Sequence, residues 1–430
     1  MKKWLLGDAN RAQKEGCLWN MIASAINALE AVIILMVATR TVGIEVSGEL
    51  TIGFTIANLM MCLGKYGVRN YQVTDAKDEF SFEDYYHSRI YTIVMMTVGI
   101  VMYLLYSWST KDYSISKILI MFFITVIYGI EAYEDVFLSG LQHKGRLDIG
   151  TKMFSIRWSI TLVVWAIGLV LTRKALFSTI MATVVDIAVL IWLLHIIREN
   201  EINAKISGGN KKKTYSILQR CFPLCISAFT AIYLPNAAKY AIDRCLSDTD
   251  QAYYGFVAMP VFVIDIVSFI IFQPMLLGMA QDWSTGRINE LKRKIRKLCI
   301  IIFMISIVVL GGGFLLGVPI LSLIYGVDLK PYKQELMILL LGGAALGFIG
   351  LFISVLTIMR KQKYLMLVYV TVSLAALVTM NIMVTKYGML GGACWNTGLL
   401  IILGILLGIG CVYNMKKRYM KSTNGVEVYE

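Results

Sequence analysis

Long apolar segments separated by short polar gaps run along almost the entire chain. Each segment is about 18 to 28 residues long, enough for a helix to cross a hydrocarbon core about 30 Å thick. We count twelve such segments, and they predict an all-α integral membrane protein. Their predicted limits are 17–39, 49–66, 88–108, 117–139, 153–172, 175–197, 217–238, 253–280, 298–325, 335–358, 364–384 and 389–413.

One longer polar gap, residues 198–216, follows the sixth apolar segment and is rich in lysine. It predicts two six-helix lobes around a central cavity, residues 1–197 and 217–430, joined by a basic cytoplasmic linker at 198–216. The second lobe would end in a short cytoplasmic tail. The composition supports a membrane protein, because 57% of the residues are hydrophobic and only 16% are charged.

The distribution of positive charge predicts the orientation of the chain. With the N-terminus inside the cell, the inner side would hold 31 of the 41 lysines and arginines and the outer side ten. Such a bias is typical of cytoplasmic loops. Both termini and the linker are therefore expected in the cytoplasm, and the protein in the cell membrane. The net charge of +13 then reflects topology, so we expect no nucleic-acid partner.

The polar residues do not form a recognisable enzyme site. The three histidines, His87, His143 and His195, lie near the ends of different segments without metal-ligand spacing. The predicted outer loops are short, which leaves no room for an external catalytic domain. We therefore expect no metal, no cofactor and no enzyme activity.

Three acidic residues lie close to the centres of their apolar segments: Glu30, Asp186 and Asp265. A charge at that depth costs about 2.5 to 3.5 kcal/mol on insertion scales, so these side chains should face the protein interior. Each is a candidate for coupling transport to a cation. The alternative is a hydrogen-bonded role between packed helices.

Further polar residues extend this interior surface. Asn27 lies one helical turn before Glu30, and residues spaced by three and four in the second segment form a polar stripe. Arg157 and Lys239 could hold a phosphate or reach to the membrane interface. The candidate residues of the substrate cavity are Asn27, Glu30, Asn58, Lys65, Arg69, Arg157, Asn236, Lys239 and Asp265.

Two prolines, Pro223 and Pro235, lie in the seventh predicted segment. A proline removes one backbone hydrogen bond and bends a helix. We expect the part of the helix between them to move while its ends stay anchored. A static kink that improves packing is the alternative.

Several stretches resemble the flippases of polysaccharide repeat units, which belong to the multidrug/oligosaccharidyl-lipid/polysaccharide superfamily. These include TRTVGIEVSGELTIGF at 39–54, EDVFLSGLQHKGRLDI at 134–149 and LPNAAKYAID at 234–243. The resemblance implies a V-shaped bundle that moves undecaprenyl-pyrophosphate-linked oligosaccharides across the membrane while their lipid tail stays in the bilayer. It also implies a polysaccharide polymerase and glycosyltransferases as partners. A cation-coupled multidrug exporter has the same architecture and is the main alternative.

Overall fold

The computed structural model describes residues 2–8, 11–75, 79–111, 113–200, 210–272 and 275–423. All regular secondary structure in these ranges is helical. The helices of the first half are α1 (Lys2–Leu6), α2 (Ala12–Thr41), α3 (Ile44–Lys65), α4 (Val68–Thr74), α5 (Phe82–Lys111), α6 (Ile115–His143), α7 (Leu147–Thr172), α8 (Ala175–Asn200) and α9 (Lys211–Tyr233). Those of the second half are α10 (Ala237–Cys245), α11 (Asp248–Ala258), α12 (Val261–Phe272), α13 (Leu276–Ser284), α14 (Ile288–Gly312), α15 (Val318–Tyr325), α16 (Lys333–Ile358) and α17 (Gln362–Thr423).

The helical membrane architecture predicted from the sequence is confirmed. Ten helical stretches within the described ranges are long and apolar enough to cross a membrane. One of them, α17, includes both of the last two predicted segments, and its backbone leaves the helical conformation at Gly388 (φ 61°, ψ −150°). The predicted segment 253–280 is divided among α11, α12 and α13, with Pro260 between the first two helices.

The two prolines of the seventh predicted segment behave differently. Helix α9 continues through Pro223, whereas Pro235 lies in a 3₁₀ turn, Leu234–Asn236, that separates α9 from α10. The carbonyl oxygen of Pro235 accepts a hydrogen bond of 3.1 Å from the side-chain amide of Asn396. The α-helix therefore runs on through Pro223 and ends before Pro235. Movement of the part between the two prolines stays a prediction.

The chain forms two compact units, Met1–Ile232 and Tyr233–Glu430. Helix α9 packs with the first unit, where Arg220 donates hydrogen bonds of 2.9 and 2.8 Å to the two carboxylate oxygens of Glu79. Farther along α9, the thiol of Cys225 lies 3.7 Å from the carbonyl oxygen of Cys62. The six-plus-six division with a linker at 198–216 stays a prediction, and residues 201–209 lie outside the described ranges.

The core of the first unit lies where α3, α6 and α7 meet. Trp158 and Trp165 of α7 are completely buried. The ring of Phe54 on α3 lies 5.5 Å from that of Trp165, and the ring of Tyr128 on α6 lies 6.0 Å from that of Trp158. This aromatic core holds the polar faces of α3 and α6 beside each other, which positions the site described below.

Candidate functional site

Helix α6 carries a row of acidic side chains through the interior of the first unit. The row consists of Glu131 and, one helical turn later, Glu134 and Asp135. All three residues are at most 3% exposed. Buried carboxylates are stable only when they are paired or hydrogen-bonded. The neighbours of these three residues therefore define the polar centre of the unit.

Arg157 neutralises one part of this row. Its Nε donates a hydrogen bond of 2.7 Å to Glu134, and its Nη1 donates bonds of 2.7 and 2.8 Å to the two oxygens of Asp186. The hydroxyl of Thr161 donates a further bond of 2.7 Å to Asp186. The side chains of Arg157, Glu134 and Asp186 have no exposed surface. The structure thus joins Arg157 and Asp186, two predicted site residues, in a closed ionic cluster.

Two other cations hold the remaining carboxylates and stay partly exposed. The ammonium of Lys65 lies 2.6 Å from Glu131, and Arg69 lies 3.1 Å from Asp135. Both basic side chains are about one-third exposed, at 33% and 34%. On its other side Asp135 accepts a bond of 2.7 Å from Arg89, which is completely buried.

Lys65 and Arg69 are brought to this position by a break in the helix. α3 ends at Lys65, and the next two residues, Tyr66 and Gly67, have positive φ angles of 51° and 73°. The chain then re-enters a helix, α4, which contains Arg69. Glycine adopts this left-handed conformation without steric cost, so Gly67 suits the turn.

The exposed ends of these two cations face a cavity of about 140 Å³ within the first unit. It contains three of the predicted site residues together with side chains that the sequence analysis did not select. Its polar lining consists of Asn20, Ser24, Asn27, Lys65, Arg69, Glu131, Asp135 and Thr151. Amide and hydroxyl groups beside two cations can hydrogen-bond sugar hydroxyls and neutralise phosphate oxygens.

Glu30 lies close to this network without lining the cavity. It is 4% exposed and accepts a hydrogen bond from the hydroxyl of Tyr128. Within the described part of the chain, its second carboxylate oxygen has no hydrogen-bond partner. Trp158 packs on Tyr128 and donates a bond of 3.1 Å to Glu131, which connects Glu30 to the cavity through two aromatic side chains.

The remaining predicted residues are placed separately. Asn58 is half-buried on α3 and is not among the residues that line this cavity. In the second unit, Asn236 lies in the 3₁₀ turn and Lys239 follows on α10, only 7% exposed. Among the described residues, no carboxylate pairs with Lys239. Asp265 belongs to α12, but its side chain lies outside the described part of the structure.

The sequence analysis missed Tyr128, Glu131, Glu134, Asp135 and Arg89. A signal for some of them was present, because Glu131 and Asp135 repeat the four-residue spacing of Lys65 and Arg69 with opposite charge. Each of the two ion pairs joins residues 66 positions apart. Complementary charges at equal spacing in two apolar segments therefore indicate helices that face each other.

Comparisons with known proteins agree with this architecture. The family model described as "Polysaccharide biosynthesis protein" matches residues 14–277. No curated protein matches the sequence significantly.

Solved structures with a similar fold cover nearly the whole chain. The lipid II flippase MurJ in an inward closed conformation has a TM-score of 0.69 at 13% identity, over 95% of this chain and 91% of its own. An inward-facing multidrug resistance MATE transporter of the MOP superfamily has a TM-score of 0.66 at 11% identity, over 94% and 99%. A mutant of the MATE transporter VcmN of Vibrio cholerae has a TM-score of 0.57 at 14% identity, over 95% and 100%. At these identities the matches show a common fold.

Proposed function

Because the chain belongs to the polysaccharide biosynthesis protein family and has the fold of MOP-type transporters, we propose that it is a flippase for undecaprenyl-pyrophosphate-linked oligosaccharide repeat units. It would carry them across the cytoplasmic membrane by alternating access, for the synthesis of a cell-surface polysaccharide. The observation that carries this proposal is the pair of partly exposed cations, Lys65 and Arg69, at a cavity in the first unit.

These cations can exchange an internal partner for the substrate. In the structure Lys65 is paired with Glu131 and Arg69 with Asp135. A pyrophosphate entering the cavity offers several anionic oxygens, which compete with the carboxylates for the same donors. Glu131 would keep its bond to Trp158 and Asp135 its bond to Arg89. The site could thus release each cation without leaving either carboxylate without a hydrogen-bond partner.

The size of the cavity limits what it holds in this conformation. A volume of about 140 Å³ corresponds to a few water molecules at about 30 Å³ each. It can take a phosphate group, whereas an oligosaccharide needs more space. We infer that the cavity enlarges when the substrate enters, and that Asn20, Ser24 and Asn27 then meet sugar hydroxyls.

Glu30 is the best-supported candidate for cation coupling among the three predicted acids. It has one hydrogen-bond partner and one open carboxylate oxygen, as described above, whereas Asp186 is held by Arg157 and Thr161. Binding of a proton or a metal cation at Glu30 would change its bond to Tyr128. That change would pass through Trp158 to Glu131, which holds Lys65.

Lys239 provides a second candidate phosphate contact, in the second unit. Lys239 is 7% exposed and has no carboxylate partner among the described residues, so its ammonium carries a large desolvation cost. An anionic ligand that reaches this side chain would offset that cost. Asn236, one turn earlier, would offer an additional polar group.

The proposed location is the cell membrane, with both termini in the cytoplasm. Transport of this kind involves no covalent chemistry and no cofactor, so we do not regard the protein as an enzyme. A polysaccharide polymerase would use the product on the outer face, and glycosyltransferases would make the substrate on the inner face. These partners are proposed from the chemistry of the substrate.

The multidrug-exporter alternative rests on the fold similarity to MATE transporters and on the buried acid in α2. Deletion of the gene tests both candidates in one strain. The flippase predicts that lipid-linked oligosaccharide accumulates and that the surface polymer disappears, with unchanged efflux of cationic dyes. Reduced dye efflux together with a normal surface polymer would favour the exporter.

A further inference from the structure

A second cavity lies at the other end of the first unit, away from Lys65 and Arg69. Its volume is about 460 Å³, and it is bounded by the turn between α2 and α3, the start of α6 and the turn between α7 and α8. Glu49 of α3 lines it, and the helical rise of about 1.5 Å per residue places Glu49 about 24 Å from Lys65 along α3. This cavity is therefore separate from the proposed substrate site.

Two adjacent cations, Arg173 and Lys174, form the turn at the rim of this cavity. Arg173 has a left-handed backbone (φ 53°), and its N–H donates a hydrogen bond of 3.0 Å to the carbonyl oxygen of Leu169. The hydroxyls of Thr172 and Ser178 lie 3.1 Å apart across the turn. Both basic side chains are exposed, and neither has an ion-pair partner among the described residues. The turn is thus firmly held, and its charges remain available.

The wall of the cavity is apolar and open to lipid. Val46, Ile120, Phe177 and Ile180 form much of it. The side chain of Phe177 is 50% exposed, and the neighbouring Leu171 is 77% exposed. In a membrane protein, exposed side chains of this type contact acyl chains. The cavity therefore combines a cationic rim with a hydrocarbon-compatible wall.

The charge of the cavity indicates which lipid it fits. Arg173 and Lys174 place two positive charges side by side at its rim. The phosphodiester of a glycerophospholipid has two unesterified anionic oxygens, which can each accept a hydrogen bond from one of the two basic side chains. The two basic residues also precede the N-terminus of α8, where the helix dipole favours an anion.

We propose that this cavity binds an anionic glycerophospholipid in the leaflet that the charge bias predicts to be outer. Arg173 and Lys174 bind the phosphodiester, and one acyl chain lies along Phe177 and Ile180. The outer side has only ten of the 41 lysines and arginines, so a neighbouring pair at a lipid-facing cavity is a marked exception to the bias. The assignment does not depend on the transported substrate.

Native mass spectrometry of the delipidated, full-length protein tests this site. Phosphatidylglycerol and phosphatidylcholine are titrated separately against the wild type, the double variant R173Q/K174Q and Ile180→Trp, which fills the cavity but keeps its charges. Lys386→Gln is the matched control, because Lys386 is an exposed cation on the same predicted side. Thermal unfolding of each variant confirms that it is folded.

We expect phosphatidylglycerol to bind about tenfold more weakly to R173Q/K174Q and to Ile180→Trp, equivalent to about 1.4 kcal/mol. Lys386→Gln should bind like the wild type, and phosphatidylcholine should bind weakly throughout. Wild-type binding by Ile180→Trp would overturn the cavity assignment, as would an equal loss in the control. If undecaprenyl phosphate displaces phosphatidylglycerol at equal concentration, the assignment to a glycerophospholipid is wrong.

Discussion

Replacement of Arg157 by methionine separates a structural role from a substrate-binding role. Arg157 donates three hydrogen bonds to Glu134 and Asp186, and all three side chains have no exposed surface. Methionine keeps much of the side-chain volume but leaves two carboxylates without their cation. Breaking a buried ion pair in this way costs about 3 to 5 kcal/mol.

The expected loss is large enough to measure by thermal unfolding. For domains of 150 to 250 residues, 1 kcal/mol shifts the melting temperature by roughly 2 to 4 °C, so Arg157→Met should lower it by roughly 6 to 20 °C. The triple variant E134Q/R157M/D186N removes all the charges together and should recover part of the loss. Both variants are measured by differential scanning fluorimetry of the purified protein.

Arg293→Met is the matched control, since the ion pair of Arg293 with Glu290 is exposed, at 77% and 44% of the two side chains. Exposed pairs contribute about 0 to 1 kcal/mol, so its melting temperature should change little. A wild-type melting temperature for Arg157→Met, together with loss of transport, would refute the structural role. Arg157 would then be a substrate-binding residue.

Three further predictions concern coupling, the second unit and topology. Glu30→Gln should reduce the dependence of transport on a proton or sodium gradient, because it removes the carboxylate that we propose binds the cation; unchanged dependence at normal protein level would show that Glu30 has no role in coupling. Lys239→Arg should keep much of the transport, Lys239→Ala should lose it and Lys239→Glu should lose more, since a point charge suffices for phosphate; wild-type transport by Lys239→Glu would remove this residue from the mechanism. Lys212→Cys should resist membrane-impermeant thiol reagents applied to intact cells, and strong labelling would overturn the topology.

The pattern of apolar segments is sufficient to predict most membrane helices, because a membrane-spanning helix must be long and apolar whatever surrounds it. It does not predict how a segment is subdivided. The segment 253–280 is apolar throughout, yet the structure divides it into three helices. The prolines alone do not predict where a helix ends, because α9 continues through Pro223 whereas the chain forms a 3₁₀ turn at Pro235. Local sequence cannot decide this, because neighbouring helices can satisfy the freed backbone groups.

The candidate site shows the same limit for side chains. The spacing of polar residues identifies Lys65 and Arg69 as part of a polar stripe. Glu30 is identified as a candidate site residue by its position near the centre of its apolar segment. It does not show that Glu131 and Asp135 face Lys65 and Arg69, because those contacts join helices that are far apart in the chain. The pairing of Arg157 with Asp186 depends on the packing of α7 against α8. The sequence does not show that packing, so it predicts Arg157 as a residue of the substrate cavity.

The most direct test of the flippase proposal is lipid transfer in proteoliposomes. Purified protein is reconstituted with undecaprenyl-pyrophosphate-linked oligosaccharide, and a membrane-impermeant lectin reports the fraction of sugar that reaches the outer leaflet. We predict transfer by the wild type and by Lys65→Arg, and a loss of at least tenfold for Lys65→Gln, with Lys386→Gln as a control at wild-type rate. Wild-type protein that exports a cationic dye but transfers no more oligosaccharide than empty liposomes would contradict the account.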